Sequence, residues 1–242
     1  MIGDLSGRRL VVAGGASGIG LATARLAQAA GAAVAVIDRS APPAGVEGFL
    51  ADLRIASEVD LAMTAVSRTL SGLDMLVYSA GIDLRAPLAQ MTDEDWQTVL
   101  DVNLTGAMRF CRLALPHFSA DGGSITLVSS GAGLLPLHER SAYSVSKAGL
   151  NMLAKCLAME LAPRNIRVNA LCPGAVETAL FRSSLVAGAG EEAERQLVRD
   201  RYALQRIAEP EEIARSVLFL GSDAASYITG VALAADGGRT FH

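Results

Sequence analysis

The order of apolar runs along the 242 residues predicts an α/β protein, a parallel sheet wound with helices on both faces. Three observations carry this reading. Short apolar runs alternate with segments of helical pattern. Those runs are continuous instead of alternating with polar residues, as in strands buried on both sides. The first run ends in a glycine-rich turn that opens a helix.

Leu10-Val11-Val12-Ala13 is the first strand, and an Ala/Leu pattern at helical spacing follows from Ile19 to Ala30. Ala33–Ile37 and Gly48–Ala51 read as strands, Ile55–Leu70 as a helix and Met75–Ser79 as a strand. One long helix is predicted over Asp93–His117, with Thr92 as N-cap and acids in its first turn. Ser124–Ser129 is the next strand. Ala142–Leu161 is a helix that stops before Pro163, and Ile166–Leu171 a strand. Glu209–Leu220 is a helix, and Val231–Ala235 the last strand. Parallel neighbours imply right-handed crossovers. The link Asp38-Arg39-Ser40-Ala41-Pro42-Pro43-Ala44-Gly45 stands apart. It holds two prolines and is shorter than the usual helical crossover, so it reads as a loop.

The chain is 51% hydrophobic but only 5% aromatic, because 42 alanines and 24 glycines supply much of its bulk. Uncharged stretches such as Leu26–Ile37 and Gly122–Leu137 are shorter than the roughly 18–20 apolar residues of a membrane span, which excludes a transmembrane helix. High hydrophobicity and a net charge of −4 exclude disorder. Mild acidity offers no basic patch for nucleic acid or a membrane surface. Cys111, Cys156 and Cys172 are odd in number and form no CxxC pair, which argues against a disulfide frame or a metal site and for a reducing compartment. Met1-Ile2-Gly3-Asp4 begins no basic-then-apolar leader, so the expected location is cytoplasmic. No linker composition divides residues 1–242, which read as a single domain.

Gly14-Gly15-Ala16-Ser17-Gly18-Ile19-Gly20 joins the first strand to the first helix. Glycine lets the backbone turn sharply and approach a pyrophosphate, while the helix N-terminus offers unpaired N–H groups to the anion. Asp38, 18 residues beyond Gly20 at the end of the second strand, suits a carboxylate that accepts from ribose hydroxyls and repels a 2′-phosphate. That predicts NAD over NADP. The neighbouring Arg39 works in the opposite sense. An unliganded strand–helix turn and a solvated acid are the plain alternatives.

Tyr143-Ser144-Val145-Ser146-Lys147 puts Tyr143 and Lys147 at i and i+4, on one helix face. Ser130 ends the strand 13 residues earlier, and Asn103 lies 27 residues before Ser130. Alone, the Tyr–Lys spacing is common; behind the glycine turn and in this order it is distinctive. On these residues the chain resembles the short-chain dehydrogenase/reductase family over its whole length. Pro173-Gly174, Arg206–Ala214, Ile228-Thr229-Gly230 and Asp236-Gly237-Gly238 carry the likeness further.

The resemblance implies a single-domain, Rossmann-type, doubly wound sandwich with a mostly parallel seven-stranded sheet in the order 3-2-1-4-5-6-7. It implies hydride transfer between a nicotinamide and a small secondary alcohol or ketone. Tyr143 is the implied acid/base, its pKa lowered by Lys147 and by the nicotinamide charge. Lys147 also binds the nicotinamide ribose, Ser130 donates to the substrate oxygen, and Asn103 holds a water linking Lys147 to solvent. By the same likeness Gly14, Ser17, Gly18, Ile19, Gly20, Asp38, Arg39, Asp52, Leu53, Ala80, Gly81, Pro173, Gly174, Val176 and Thr178 contact the dinucleotide. A lid over 179–205 closes on substrate, Ala/Gly-rich at Val186–Gly190 and charged from Glu191 to Arg201. Ser130, Leu135, His138 and Ala175 are expected at the substrate, and Arg85, His138 and Arg140 are candidates for a polar or anionic one. The family's dimer surfaces map to Asp93–His117, Ala142–Leu161 and the last strand, which implies a homotetramer.

Two departures stand out. Ala13-Gly14 replaces the usual Thr-Gly, and Tyr78-Ser79-Ala80-Gly81 the usual Asn-Asn-Ala-Gly. They lie on neighbouring strands and bear on the adenine pocket. Beside NAD-linked alcohol oxidation stand an NADPH-linked 3-oxoacyl reductase, a lyase or dehalogenase on the same fold, and a non-catalytic NAD-binding protein.

Overall fold

A computed structural model describes residues 4–185 and 190–241. Its strands are β1 (Arg9–Ala13), β2 (Ala33–Asp38), β3 (Glu47–Leu50), β4 (Met75–Tyr78), β5 (Gly123–Val128), β6 (Ile166–Pro173) and β7 (Ala232–Ala235). They form one parallel sheet in the order β3-β2-β1-β4-β5-β6-β7, as the family resemblance implies. Alternate side chains of each strand serve opposite faces. Leu10 and Val12 of β1 join Val34 and Val36 of β2 under the helices α1 (Gly18–Ala29) and α8 (Pro210–Gly221). Val11, Ala13 and Ile37 face the other way, toward α2 (Ala56–Leu70), α4 (Gly106–Ala114) and α5 (Ser141–Leu161). Among the described residues no helix is long and apolar enough to cross a membrane.

The link from β2 to β3 is a loop, as its prolines predict. Pro42 packs over Gly48, where a Cβ would lie 2.4 Å away. β3 is a short, largely exposed edge strand paired to β2 from Ala35↔Glu47 to Asp38↔Leu50.

The predicted helix from Asp93 to His117 is not one regular helix. Thr92 caps α3 (Asp93–Leu100), its Oγ1 accepting from the Asp95 N–H at 3.1 Å. A π-helical turn, Asp101–Thr105, follows before α4, and a 3₁₀ turn at Leu115–His117 ends the run. The cause is Asn103, which is 0% exposed. Its Oδ1 accepts from the Ile82 N–H at 2.8 Å, and its Nδ2 donates to the Ile82 carbonyl and to Ser146 Oγ. One extra residue in the turn rotates this amide into the protein. The Tyr78 hydroxyl then donates to the Val102 carbonyl at 2.6 Å, inside the widened turn.

Beyond β6 come α6 (Ala179–Ser184) and α7 (Glu191–Arg199). The sequence placed both in a lid; its residues 186–189 lie outside the described residues.

Candidate active site

The carboxyl ends of the parallel strands open into one continuous cleft, the expected ligand position in such sheets. Two cavities of about 390 and 290 Å³ make it up, with Ile19, Ser79, Gly81, Thr178 and Leu180 lining both.

The smaller cavity gathers Gly14, Ser17, Gly18, Asp38, Arg39, Asp52, Leu53 and Ala80. Gly14 holds φ +73°, and a Cβ there would stand 2.5 Å from the Ala80 nitrogen. Gly20 lines neither cavity. It lies beneath the turn, where a Cβ would come 2.1 Å from the Gly14 carbonyl oxygen. No side chain caps α1: Ser17 at the N-cap makes no side-chain bond to the helix, and no acid sits in the first turn. The helix end thus presents bare N–H groups to the cleft, which suits a pyrophosphate. Asp38 accepts from the Ala16 and Ser40 N–H groups at 3.1 and 3.0 Å, which fixes its carboxylate at the rim. Asp52 is paired with Arg54, whose guanidinium holds the carboxyl below its ordinary range.

The departures from the family pattern meet across β1 and β4, with Ala13 in register with Tyr78. Tyr78, on the same face of the sheet as Ala13, packs edge-on against Phe110 and bonds the π-turn. The Ser79 N–H donates to the Ala13 carbonyl.

The larger cavity brings Ser130, Tyr143, Lys147, Pro173, Gly174, Ala175, Val176 and Thr178 together. Ser130, two residues beyond β5, is extended. Its Oγ accepts from the Ala132 N–H at 3.1 Å, leaving the hydroxyl proton free to donate. α5 carries Tyr143 and Lys147 side by side, with Lys147 Nζ 5.7 Å from the Tyr143 ring centre. Lys147 is only 4% exposed and donates to the Val128 carbonyl at 3.0 Å. Burial holds its ammonium down at about 8. Burial also pushes the Tyr143 phenol up to about 12, against the pull of the Ser130 hydroxyl. In the chain by itself, burial therefore outweighs the lowering of the Tyr143 pKa that the resemblance implies.

Asn103 lines neither cavity. Oδ1 and Lys147 Nζ both flank Gly81, 3.4 and 3.3 Å from where its Cβ would be. Both ends of the amide are bonded, so the side chain ties the Ile82 backbone to α5. Thr178 caps α6 through Oγ1 and lines the cleft at once.

Of the candidates for substrate, Ala175 and His138 line the larger cavity, with His138 largely exposed. Leu135 does not; its carbonyl instead accepts from Arg239. Arg85 and Arg140 line the cavity too, but each already has an acid: Arg85 is paired with Glu139 and Arg140 with Asp83. Arg140 also donates to the Ser184 carbonyl at 2.9 Å, tying α6 to the start of α5. On α7, Arg195 grips Glu177 through two bonds, pairs with Glu191 and lies over the Phe181 ring. Sequence reading missed Asp83 and Arg239, both of which line the cavity, as does Tyr202 of the expected lid segment. Only the place of Arg239, directly after the Asp236-Gly237-Gly238 motif, offered a signal.

Comparison with known proteins follows from this geometry. Residues 14–240 match the family model described as enoyl-(acyl carrier protein) reductase. The 3beta-hydroxysteroid dehydrogenase 1 of Eggerthella lenta is 35% identical, over 100% of this chain and 97% of its own length. The cis-4-hydroxycyclohexanecarboxylate dehydrogenase of Sinomonas cyclohexanicum is 39% identical over 96% of each. The 3-oxoacyl-(acyl-carrier-protein) reductase of Thermotoga maritima is 35% identical over 97% of this chain and 98% of its own. Among solved structures, the ligand-free aldohexose dehydrogenase of Thermoplasma acidophilum matches with TM-score 0.94 and 30% identity, over 100% of this chain and 97% of that one. The chain belongs to the short-chain dehydrogenase/reductase family, whose oxidoreductases act on hydroxyl and keto groups.

Proposed function

We propose that the protein is an NAD(H)-dependent oxidoreductase that interconverts a secondary alcohol and a ketone. The observation that carries this is the meeting of Ser130, Tyr143 and Lys147 in a cavity continuous with the glycine turn. When bound, the nicotinamide supplies hydride exchange at its C4 and, oxidised, a positive charge beside Tyr143. Ser130 donates its free hydroxyl proton to the substrate oxygen and fixes it against Tyr143 Oη. Tyr143 Oη takes the alcohol proton in oxidation and returns one to the carbonyl oxygen in reduction. Lys147 sets a cation beside that ring and anchors the nicotinamide ribose. Asn103 acts as a positioning residue, holding the Ile82 backbone against α5. Val176 and Thr178 hold the carboxamide, and the turn Gly14–Gly20 takes the pyrophosphate.

Asp38 supports NAD over NADP. One observation favours the second reading, an NADPH-linked 3-oxoacyl reductase: Arg39 lines the adenosine end and, among the described residues, has no ion-pair partner. Comparing kcat/KM for the two cofactors decides it. Preference for NADP(H) would overturn the assignment to NAD. The exposed Val145, Met152 and Met159 on α5, and Tyr227 before β7, support the homotetramer; light scattering that gives a monomer would refute it. The odd cysteine count supports a cytoplasmic location.

A further inference from the structure

Arg239 is a buried cation for which the described residues supply no counter-charge. It is 8% exposed and lines the larger cavity beside Ser130 and Tyr143. Its Nη2 donates to the Leu135 and Pro136 carbonyls at 3.0 and 3.2 Å, and no carboxylate among the described residues pairs with it. The nearby Asp236 is occupied: Oδ1 accepts from the Gly238 N–H, and Oδ2 from the Thr240 N–H and hydroxyl. A guanidinium has five N–H donors, so two carbonyls leave most of its capacity unused. Nη1 stands over Gly131, the residue after Ser130, 3.4 Å from where a Cβ would be, and the bare glycine leaves it uncovered. Buried charges are as a rule paired, and arginine's planar fork matches a carboxylate.

The rest of the cavity agrees. Arg85 and Arg140 are neutralised by Glu139 and Asp83, which leaves Lys147, Arg201 and Arg239 facing one carboxylate without an ion pair, Glu194. Leu137, Leu180, Phe181, Leu197 and Val198 line the same cavity. An apolar body with a hydroxyl at one end and an anion at the other fills such a space.

Resting on the oxidoreductase reading above, we propose that the substrate is a hydroxy acid or keto acid with an apolar body, and that Arg239 receives its carboxylate. No covalent step is added. Arg239 selects and orients, and the proton and hydride move as already described.

The test is calorimetric binding of cyclohexanecarboxylate and of its neutral isostere, cyclohexanecarboxamide, to the full chain with and without NADH. The acid is expected to bind at least about tenfold more tightly than the amide, with that preference lost in Arg239→Met and partly kept in Arg239→Lys. Equal binding of acid and amide by the wild type, no binding of either, or a preference unchanged in Arg239→Met would overturn the proposal. The wild-type comparison stands even if Arg239→Met fails to fold. In parallel, 4-hydroxycyclohexanecarboxylate and its methyl ester are offered with NAD. Formation of NADH from the ester as fast as from the acid defeats the carboxylate site while upholding the oxidoreductase. Acid binding without NADH formation from any alcohol upholds the site and defeats the oxidoreductase.

Discussion

Lys147→Met is expected to make the protein more stable at neutral pH while removing its activity. The ammonium of Lys147 is 4% exposed, and its pKa falls from an ordinary 10.5 to about 8. An amine that is charged in both states but prefers to be charged only when unfolded costs the folded protein about 3 kcal/mol. That cost is fully present below pH 8, shrinks as the folded protein releases the proton, and is gone above 10.5. Methionine carries no such cost but forfeits the bond to the Val128 carbonyl, about 1–2 kcal/mol. The variant should therefore gain about 1–2 kcal/mol at pH 7, or roughly 2–8 °C in Tm for a chain of this size. It should fall below the wild type by a similar amount near pH 10.5. Paired melts followed by circular dichroism from pH 6 to 10.5 read the difference, and groups common to both proteins cancel. A variant that melts lower at every pH, or whose gain does not shrink as pH rises, would refute the reasoning.

Other outcomes follow from the same contacts. Tyr78→Phe should leave the fold intact but strand the Val102 carbonyl in the π-turn, costing about 1–3 kcal/mol in urea unfolding; an unchanged midpoint would contradict the role given to that hydroxyl. Gly14→Ala forces a Cβ to 2.5 Å from the Ala80 nitrogen at φ +73°, so NADH titration by fluorescence should show cofactor affinity down at least about tenfold. Burial keeps Tyr143 protonated in the chain alone, so alcohol oxidation should speed up as pH rises through 9, by up to about tenfold per pH unit. A flat profile of kcat/KM from pH 6 to 9 would count against Tyr143 as the base.

What the sequence made legible is what local pattern encodes. β1, its glycine turn and α1 follow from an apolar run, from glycines that permit φ above zero, and from alanine spacing. Tyr143 and Lys147 share a helix face because i and i+4 always do. The π-turn was not legible, because it depends on Tyr78 and Ile82 reaching residues more than 20 positions away. Nor were the partners of the cavity cations. Arg140 finds Asp83 across 57 residues, and Arg239 finds Leu135 across 104. The sequence offers Arg85, His138 and Arg140 as candidates for a polar or anionic substrate; only the folded chain shows that the two arginines are paired while, among the described residues, Arg239 has no acid. Leu135 lines neither cavity; its carbonyl accepts from Arg239, a partner 104 residues away.

We propose that this cleft moves a hydride between an alcohol and NAD with Tyr143 Oη as the proton acceptor. The most direct measurement is NADH absorbance during a screen of secondary alcohols, hydroxy acids included, run in parallel on the wild type and Tyr143→Phe with NADH affinity measured for both. Turnover is expected from the wild type and none detectable from Tyr143→Phe, with equal NADH binding by both. Turnover retained by Tyr143→Phe, or NADH formed by neither protein from any alcohol, would contradict it.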